Sequence, residues 1–171
     1  QKTQSKTQKC RLRMAQSLDQ KKYLYEKYLI LSSLCPSEPK HDNSNKTFHF
    51  YTFYSLEMKI YHDLFYVKTN QQTKYRKTIT MNFEHLLTDP LALAVWYCDD
   101  GSKRTDADAC RIATHCWSLE EVQILQWILM TNFQIPSHIV KSGKSSRGGH
   151  QWYVLSFAAR DGGFRRLREL I

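Results

Sequence analysis

The sequence predicts an α+β fold made of two similar halves. Strand and helix patterns alternate along the chain, and the order strand, helix, strand, helix occurs twice. Composition agrees, since 42% of the 171 residues are hydrophobic and 24% are charged, which is typical of a globular chain with a core. The predicted halves are residues 1–87 and 88–171.

The first half opens with a strand pattern. Residues 10–17 read CRLRMAQS, where Arg11 and Arg13 alternate with Leu12 and Met14, so one face is cationic and the other apolar. The next patterns predict a helix that stops before a proline, a polar loop, an aromatic strand, an amphipathic helix and a basic connector, over residues 21–35, 36–46, 46–55, 56–68 and 69–81.

The second half opens with an apolar helix over residues 90–101, whose first turn contains Pro90. Ser118 and Glu121 have the spacing of a capping box and predict the start of an amphipathic helix. The remaining patterns predict three strands, a Gly- and Lys-rich turn and a short basic helix, over residues 110–117, 137–142, 151–159, 143–149 and 164–171. The opening apolar helix has no counterpart in the first half.

The charge balance indicates a polyanionic partner. Lys and Arg number 25 against 16 acidic residues, which gives a net charge of +9. A basic domain of this size most often binds nucleic acid, although a merely basic protein is the alternative. No apolar run reaches the length of a membrane span, which excludes a transmembrane protein.

The five cysteines predict reduced thiols in an intracellular compartment, because their number is odd and no pair has CxxC spacing. The acid-free opening 1–18 has the composition of a mitochondrial transit peptide. Its later part alternates like a strand, so we assign it to the fold.

Two familiar site types are excluded by spacing. The segment SGKSS lacks the glycine that a phosphate loop needs, since His138 stands at that position. The seven histidines show no spacing of zinc ligands. Lys141, Lys144 and Arg147 instead predict a hairpin tip that contacts a phosphate backbone, with a solvated loop as the alternative.

The most informative segment is LALAVWYCDDGSK, residues 91–103. Leu91, Ala94, Val95 and Cys98 recur at helical spacing and form one apolar stripe, whose small residues allow a second helix to approach closely. Asp99, Asp100 and Gly101 come next, at the helix C-terminus, where the dipole is unfavourable for carboxylates. A bound Mg²⁺ would relieve that repulsion, while an ordinary Asp-Gly turn is the alternative.

This segment resembles the second motif of the LAGLIDADG homing endonucleases, in particular the two-motif group of organellar introns. That motif is typically an apolar helix ending in Trp-Tyr-Met-Asp-Asp-Gly-Ser, and here the chain reads WYCDDGS. The flanking LLTDP, RIATHCWS and LEEVQILQWIL agree. CRLRMAQS and the Lys-Tyr-Leu helix after it are similar to the segment that lies directly after the first motif in that group. The resemblance covers nearly the whole chain.

The resemblance implies two pseudo-symmetric αββαββα halves whose antiparallel strands form a saddle on DNA. It implies that Asp100, with Gly101, binds the catalytic metal, that Asp99 is not a ligand, and that Lys141 is the basic residue near the reacting water. The cofactor implied is Mg²⁺. The expected nucleic-acid contacts are Lys9, Arg11, Arg13, Lys103, Arg104, Arg111, Lys141, Lys144 and Arg147.

The chain departs from the family pattern because no first motif is present in it, and Gln1 falls just beyond where that motif should end. One metal carboxylate cannot replace two, so we expect no double-strand cleavage by these residues alone. We also expect another segment or macromolecule to cover the stripe.

The sequence supports two hypotheses about function. One is a site-specific, Mg²⁺-dependent DNA endonuclease. The other is an inactive RNA-binding derivative, either an intron maturase or a component of an organellar ribonucleoprotein such as the mitochondrial ribosome. Both imply a mitochondrial or chloroplast location.

Overall fold

The computed structural model describes residues 9–69, 75–144 and 151–171. The chain divides into two compact units, Gln1–Phe65 and Tyr66–Ile171. The strands are β1 Arg13–Ser17, β2 Lys40–Asp42, β3 Thr47–Tyr51, β4 Tyr66–Lys68, β5 Tyr75–Lys77, β6 Gly101–Lys103, β7 Ala109–Ala113, β8 His138–Lys144 and β9 Gln151–Ala158. The helices are α1 Lys21–Leu31, α2 Glu57–Phe65, α3 Pro90–Asp100, α4 Leu119–Phe133 and α5 Gly163–Leu170.

The first unit is a three-stranded antiparallel sheet, ordered β1-β3-β2, with α1 against one face. Leu24 of α1 and Phe50 of β3 are fully buried between these layers. The ring of Tyr28 lies 5.6 Å from that of Phe50 in an edge-on contact. The same face carries Met14, so the expected alternation along β1 is confirmed, with Arg11 and Arg13 exposed on the other side.

The second unit is a four-stranded antiparallel sheet, ordered β6-β7-β9-β8, with a separate β4-β5 hairpin. Its core joins side chains from α3, α4 and α5 to one sheet face, including Leu93, Ile128, Leu155 and Leu167. Ile79 and Phe83 belong to the same core, so the segment after Tyr66 packs with this unit. The predicted boundary between residues 87 and 88 separates the two repeated halves and not the two compact units, and it remains a prediction.

The element order repeats. The run β1, α1, β2, β3, α2 in the first unit matches β7, α4, β8, β9, α5 in the second. The sheet orders β1-β3-β2 and β7-β9-β8 also match. The expected two similar halves are therefore confirmed, and α3 with β6 extends the second half to αββαββα.

The helix starts agree with the predicted capping chemistry. Asp89 accepts a hydrogen bond from the backbone nitrogen of Leu91 at 2.8 Å, and Pro90 occupies the first turn of α3. Ser118 and Glu121 form both bonds of a capping box at the start of α4. These side chains satisfy amide donors that have no partner within the helix.

Three short strands depart from the predictions. The expected loop 36–46 contains β2, the expected helix through residue 68 ends at Phe65 and continues as β4, and the connector contains β5. Asp42 turns the chain after β2 by accepting bonds from the backbone and side chain of Ser44. Strands of three residues are too short for a period of two to show in sequence.

The five cysteines are all free thiols. No helix in the described part of the chain combines the length and the apolarity that crossing a membrane requires.

Candidate nucleic-acid interface

One face of the second unit's sheet is closed by helices and the other is not. Because side chains alternate along a strand, the buried Cys110 and Ile112 of β7 face the helices. Arg111 between them points to the opposite face, where its pairing partner is Ser156 of β9. We call this second face the open face of the second unit.

The open face carries polar atoms without partners. Nε of Arg111 and Nε2 of His115 are both buried and, within the described residues, accept or donate no hydrogen bond. The His115 ring packs on Trp152 with centroids 5.1 Å apart and planes at 32°. Buried polar groups normally have partners, so these atoms are suited to contact a ligand that covers the face.

The open face of the first unit has a similar character. Arg11 and Arg13 are exposed, and Arg13 pairs with Tyr51 on β3. The guanidinium carbon of Arg11 lies 4.0 Å from the ring centroid of Tyr51 and 4.8 Å from that of Tyr54. Lys9 is exposed beside the start of this strand. Sequence reasoning found these cations but not the aromatic rings beneath them.

The remaining predicted cations do not all share these faces. Lys141 pairs with Tyr153, which is two residues from the buried Leu155 and so lies on the same face of β9. Lys141 therefore lies on the opposite face of the sheet from Arg111. It does not lie on the open face, and the contact expected of it from the hairpin tip remains a prediction. Lys103 likewise pairs with the buried Cys110, at the end of β6. The irregularity between Lys141 and Gly143 keeps Lys144 on that same side.

Arg104, another predicted contact, is already paired with a carboxylate. Arg104 binds the Asp106 carboxylate through two nitrogens, the Nε distance being 2.8 Å. This guanidinium lowers the pKa of Asp106 to about 2. Because its charge is neutralised locally, Arg104 is less available than Arg111 for a contact with a phosphate. Arg147 lies outside the described residues.

The carboxylates Asp99 and Asp100 end α3 as predicted, one residue before the expected helix boundary, and both are exposed. Gly101 is the first residue of β6 and donates its N–H to the carbonyl of Tyr97. A Cβ at Gly101 would lie 2.3 Å from that carbonyl oxygen and 2.5 Å from the Tyr97 ring. The close approach of these two residues therefore requires glycine after Asp100.

The charge of Asp100 acts on the same thiol as that of a lysine that sequence reasoning missed. Burial raises the pKa of the Cys116 thiol, the Lys77 ammonium lowers it, and the carboxylates of Asp100 and Glu121 raise it. Lys77 is therefore an additional candidate for the basic residue of this region. Lys141, in contrast, is on the far edge strand of the sheet, about 14 Å across from β6 at normal strand spacing. The structure does not bring Lys141 to Asp100.

The predicted apolar stripe is the open side of α3. Leu91 is 57% exposed and Cys98 is exposed, while Ala94 and Val95 are half-buried. The buried side of the helix is Leu93, which joins the core. The stripe thus presents apolar surface that the second unit's own core does not use.

The donors near Asp100 supply only part of a metal site. Among the described residues, no group of three or more His, Cys, Asp or Glu side chains is placed so that it could hold a metal ion. Asp100 offers carboxylate oxygens and Gly101 a backbone carbonyl, which are hard donors that suit Mg²⁺. Phosphate oxygens, water or a further carboxylate would have to complete the coordination.

Comparison with known proteins identifies relatives of two kinds. The sequence model of the LAGLIDADG DNA endonuclease family matches residues 1–162. The chain is 34% identical over 99 residues to cytochrome b mRNA maturase bI2 of Saccharomyces cerevisiae, which covers 58% of this chain and 22% of the maturase. It is 28% identical over 170 residues to DNA endonuclease I-ChuI of Chlamydomonas applanata, covering 92% of this chain and 77% of that enzyme.

Solved structures agree on the fold. The homing endonuclease I-WcaI bound to its DNA recognition sequence superposes with a TM-score of 0.73 at 17% identity, over 99% of this chain and 73% of that one. I-DmoI in complex with DNA and Mn gives 0.50 at 14% identity, over 94% of this chain and 78% of that one.

Proposed function

This chain belongs to the LAGLIDADG DNA endonuclease family, and we propose that it binds a specific DNA duplex through the open faces of its sheets. One observation carries the proposal. In each unit one sheet face is packed against helix, while the other presents an arginine and aromatic rings: Arg11 lies over Tyr51 in the first unit, and Arg111 lies on the same face as the His115–Trp152 pair in the second. Such a surface offers both phosphate contacts and stacking or base contacts.

In the proposed reaction Asp100 is the metal carboxylate. Its position at the C-terminus of α3 favours a cation, since the helix dipole is negative there. A divalent cation such as Mg²⁺ would neutralise phosphate charge and activate a water molecule when bound. Asp100, with the Gly101 carbonyl, would hold it. The absence of a Cβ at Gly101 lets the chain pass directly from α3 into β6 beside Tyr97.

We assign the basic side chain beside this centre to Lys77 rather than Lys141. The charges of Lys77 and Asp100 both act on the Cys116 thiol, which supports this assignment. Lys141, Lys144, Lys103 and Lys9 remain phosphate contacts in this proposal, where a flexible cation needs no fixed geometry.

Double-strand cleavage would need a second metal carboxylate from outside the described residues. We propose that the segment or macromolecule that supplies it also covers the stripe at Leu91 and Cys98. The chain spans about a fifth of the length of the yeast maturase, so the activity of a whole protein of that kind is part of the proposal.

A second candidate function is RNA binding as an organellar intron maturase without cleavage. The observation that favours it is the 34% identity to a protein named as an mRNA maturase. The open faces would serve equally well for a structured RNA, because phosphate contacts carry no information about the sugar.

The endonuclease function is tested in two steps. A specific sequence is first selected from a pool of randomised duplexes, and cleavage of the enriched sequence is then measured with and without Mg²⁺. We expect enrichment of one sequence, and cleavage only by a preparation that also contains the second carboxylate. An absence of enrichment, with tight binding of intron RNA in a parallel assay, would overturn the endonuclease in favour of the maturase.

A further inference from the structure

The Arg11 side chain differs from the other exposed cations in being held on two aromatic rings. Its guanidinium carbon lies 4.0 Å from the Tyr51 centroid and 4.8 Å from the Tyr54 centroid, both well inside the range of a cation–π contact. Arg13, two residues further along, lies 5.9 Å from Tyr51 and has no second ring among the described residues.

The backbone around Arg11 is tied to the strand that carries these rings. On one side, Cys10 and Ser55 exchange two backbone hydrogen bonds of 3.2 and 2.9 Å. On the other, Leu12 accepts from the Thr52 amide at 3.1 Å and donates to the Thr52 hydroxyl at 3.0 Å. The backbone of Arg11 is therefore held in place, because the residues before and after it are hydrogen-bonded to residues on either side of Tyr54.

Ring contacts leave the in-plane donors of a guanidinium available, whereas a carboxylate partner consumes them. No carboxylate pairs with Arg11 among the residues that the structure describes, while Arg104 is bound by Asp106 through two nitrogens. The two rings thus restrict the orientation of the planar Arg11 guanidinium, while its N–H groups remain available to donate hydrogen bonds in that plane.

We propose that Arg11 reads a guanine in the bound duplex, and that Tyr51 and Tyr54 hold its guanidinium in the orientation for that contact. A guanine presents O6 and N7 in the major groove, and two parallel N–H donors match them. A phosphate contact requires no such orientation. This inference rests on the proposed DNA binding and adds a specificity-determining residue to it.

The test is a sequence-specificity profile of the whole chain, measured by selection from a pool of duplexes with a randomised central segment. Wild type is compared with Arg11→Lys, which keeps the charge and loses the planar fork. Arg13→Lys is the matched cation variant. Tyr54→Leu removes one ring, and Phe53→Leu removes the adjacent ring, which is equally exposed at 56% against 58%.

We expect Arg11→Lys to relax the preference at one guanine position by roughly five- to a hundredfold, the range for one bidentate base contact. Tyr54→Leu should relax the same position in part, and Phe53→Leu should leave the profile unchanged. Arg13→Lys should alter affinity for all sequences alike.

A uniform loss of affinity in Arg11→Lys, with every base preference retained, would show a phosphate contact and overturn the guanine assignment while DNA binding stands. If the wild-type chain enriches no sequence, the proposed function fails and this inference fails with it.

Discussion

Arg76 donates its Nη1 to Oε1 of Glu121 at 2.8 Å, which ties β5 to the first turn of α4. The same oxygen accepts from the Thr78 hydroxyl at 2.8 Å and from the Ile79 amide at 3.4 Å, while Oε2 accepts from the Ser118 amide at 2.8 Å. One carboxylate therefore closes the capping box and anchors the strand on both sides of Lys77. The backbone of Lys77, whose charge acts on the Cys116 thiol together with that of Asp100, is thereby held between two anchored residues.

The hydrogen bonds accepted by the Glu121 carboxylate predict that Glu121→Gln lowers the stability of the chain, and that the loss depends on pH. Burial alone raises the pKa of the Glu121 carboxyl, but hydrogen bonds from Ser118, Arg76 and Thr78 outweigh it and hold the pKa below its usual 4.5. Because the folded-state pKa is lowered, the stabilisation is fully present above the unfolded pKa and is lost as pH falls through the folded value.

At neutral pH we expect Glu121→Gln to lower the free energy of unfolding by about 1.5–3 kcal/mol, the range for hydrogen bonds to a charged group. Denaturant titration at several pH values measures this, and the difference from wild type should shrink in acid. The neighbouring exposed Glu120→Gln is the control. Equal effects of the two changes at every pH would contradict the anchor.

The contact between Gly101 and Tyr97 predicts that Gly101→Ala is destabilising. A Cβ would lie 2.3 Å from a backbone oxygen, which cannot move as freely as a side-chain end. We expect a loss of about 1–3 kcal/mol, the usual cost of overpacking. Thermal unfolding measures it, with the exposed neighbour Ser102→Ala as control. A stable Gly101→Ala chain would mean that the helix end is not constrained as described.

Asp100→Asn should abolish metal-dependent cleavage in a cleavage-competent preparation while leaving DNA affinity almost unchanged. The change removes a metal-binding charge at an exposed helix end and disturbs no core contact. Parallel cleavage and binding assays measure the two effects, with Asp99→Asn as the matched control. Cleavage at the wild-type rate by Asp100→Asn would exclude it as the metal carboxylate.

The open stripe predicts that the chain binds a hydrophobic-surface dye at α3. Leu91 is 57% exposed, and each Å² of apolar surface left in water costs about 25 cal/mol. Leu91→Ser should lower dye fluorescence more than Leu29→Ser, although Leu29 on α1 is 63% exposed. Equal fluorescence of wild type and Leu91→Ser would show that the stripe is not a coherent apolar surface.

Local signals were enough to predict much of the fold. Alternation along CRLRMAQS, the proline in the first turn of α3 and the Ser118–Glu121 spacing each concern neighbours in sequence, and each is observed. The three-residue strands β2, β4 and β5 were missed because their stability comes from pairing partners rather than from a pattern of their own.

Site geometry was less predictable because it depends on register and on distant residues. Arg76 and Glu121 are 45 residues apart, and nothing in either segment indicates the other. The face of Lys141 depends on its pairing with Tyr153, and a shift of one residue would reverse it. Asp100 and Gly101 could be singled out because the motif that contains them consists of consecutive residues.

Salt dependence of DNA binding tests the central claim most directly, namely that the open sheet faces bind phosphates. The affinity of wild type for duplex DNA should fall steeply with salt, and Arg111→Ala and Arg13→Ala should each reduce the log–log slope by about 0.9. Arg165→Ala is the control, because Arg165 is a highly exposed arginine on α5, outside the strands and their tips, and is paired with Glu169. A slope that the open-face variants leave unchanged, or that Arg165→Ala reduces equally, would contradict the account.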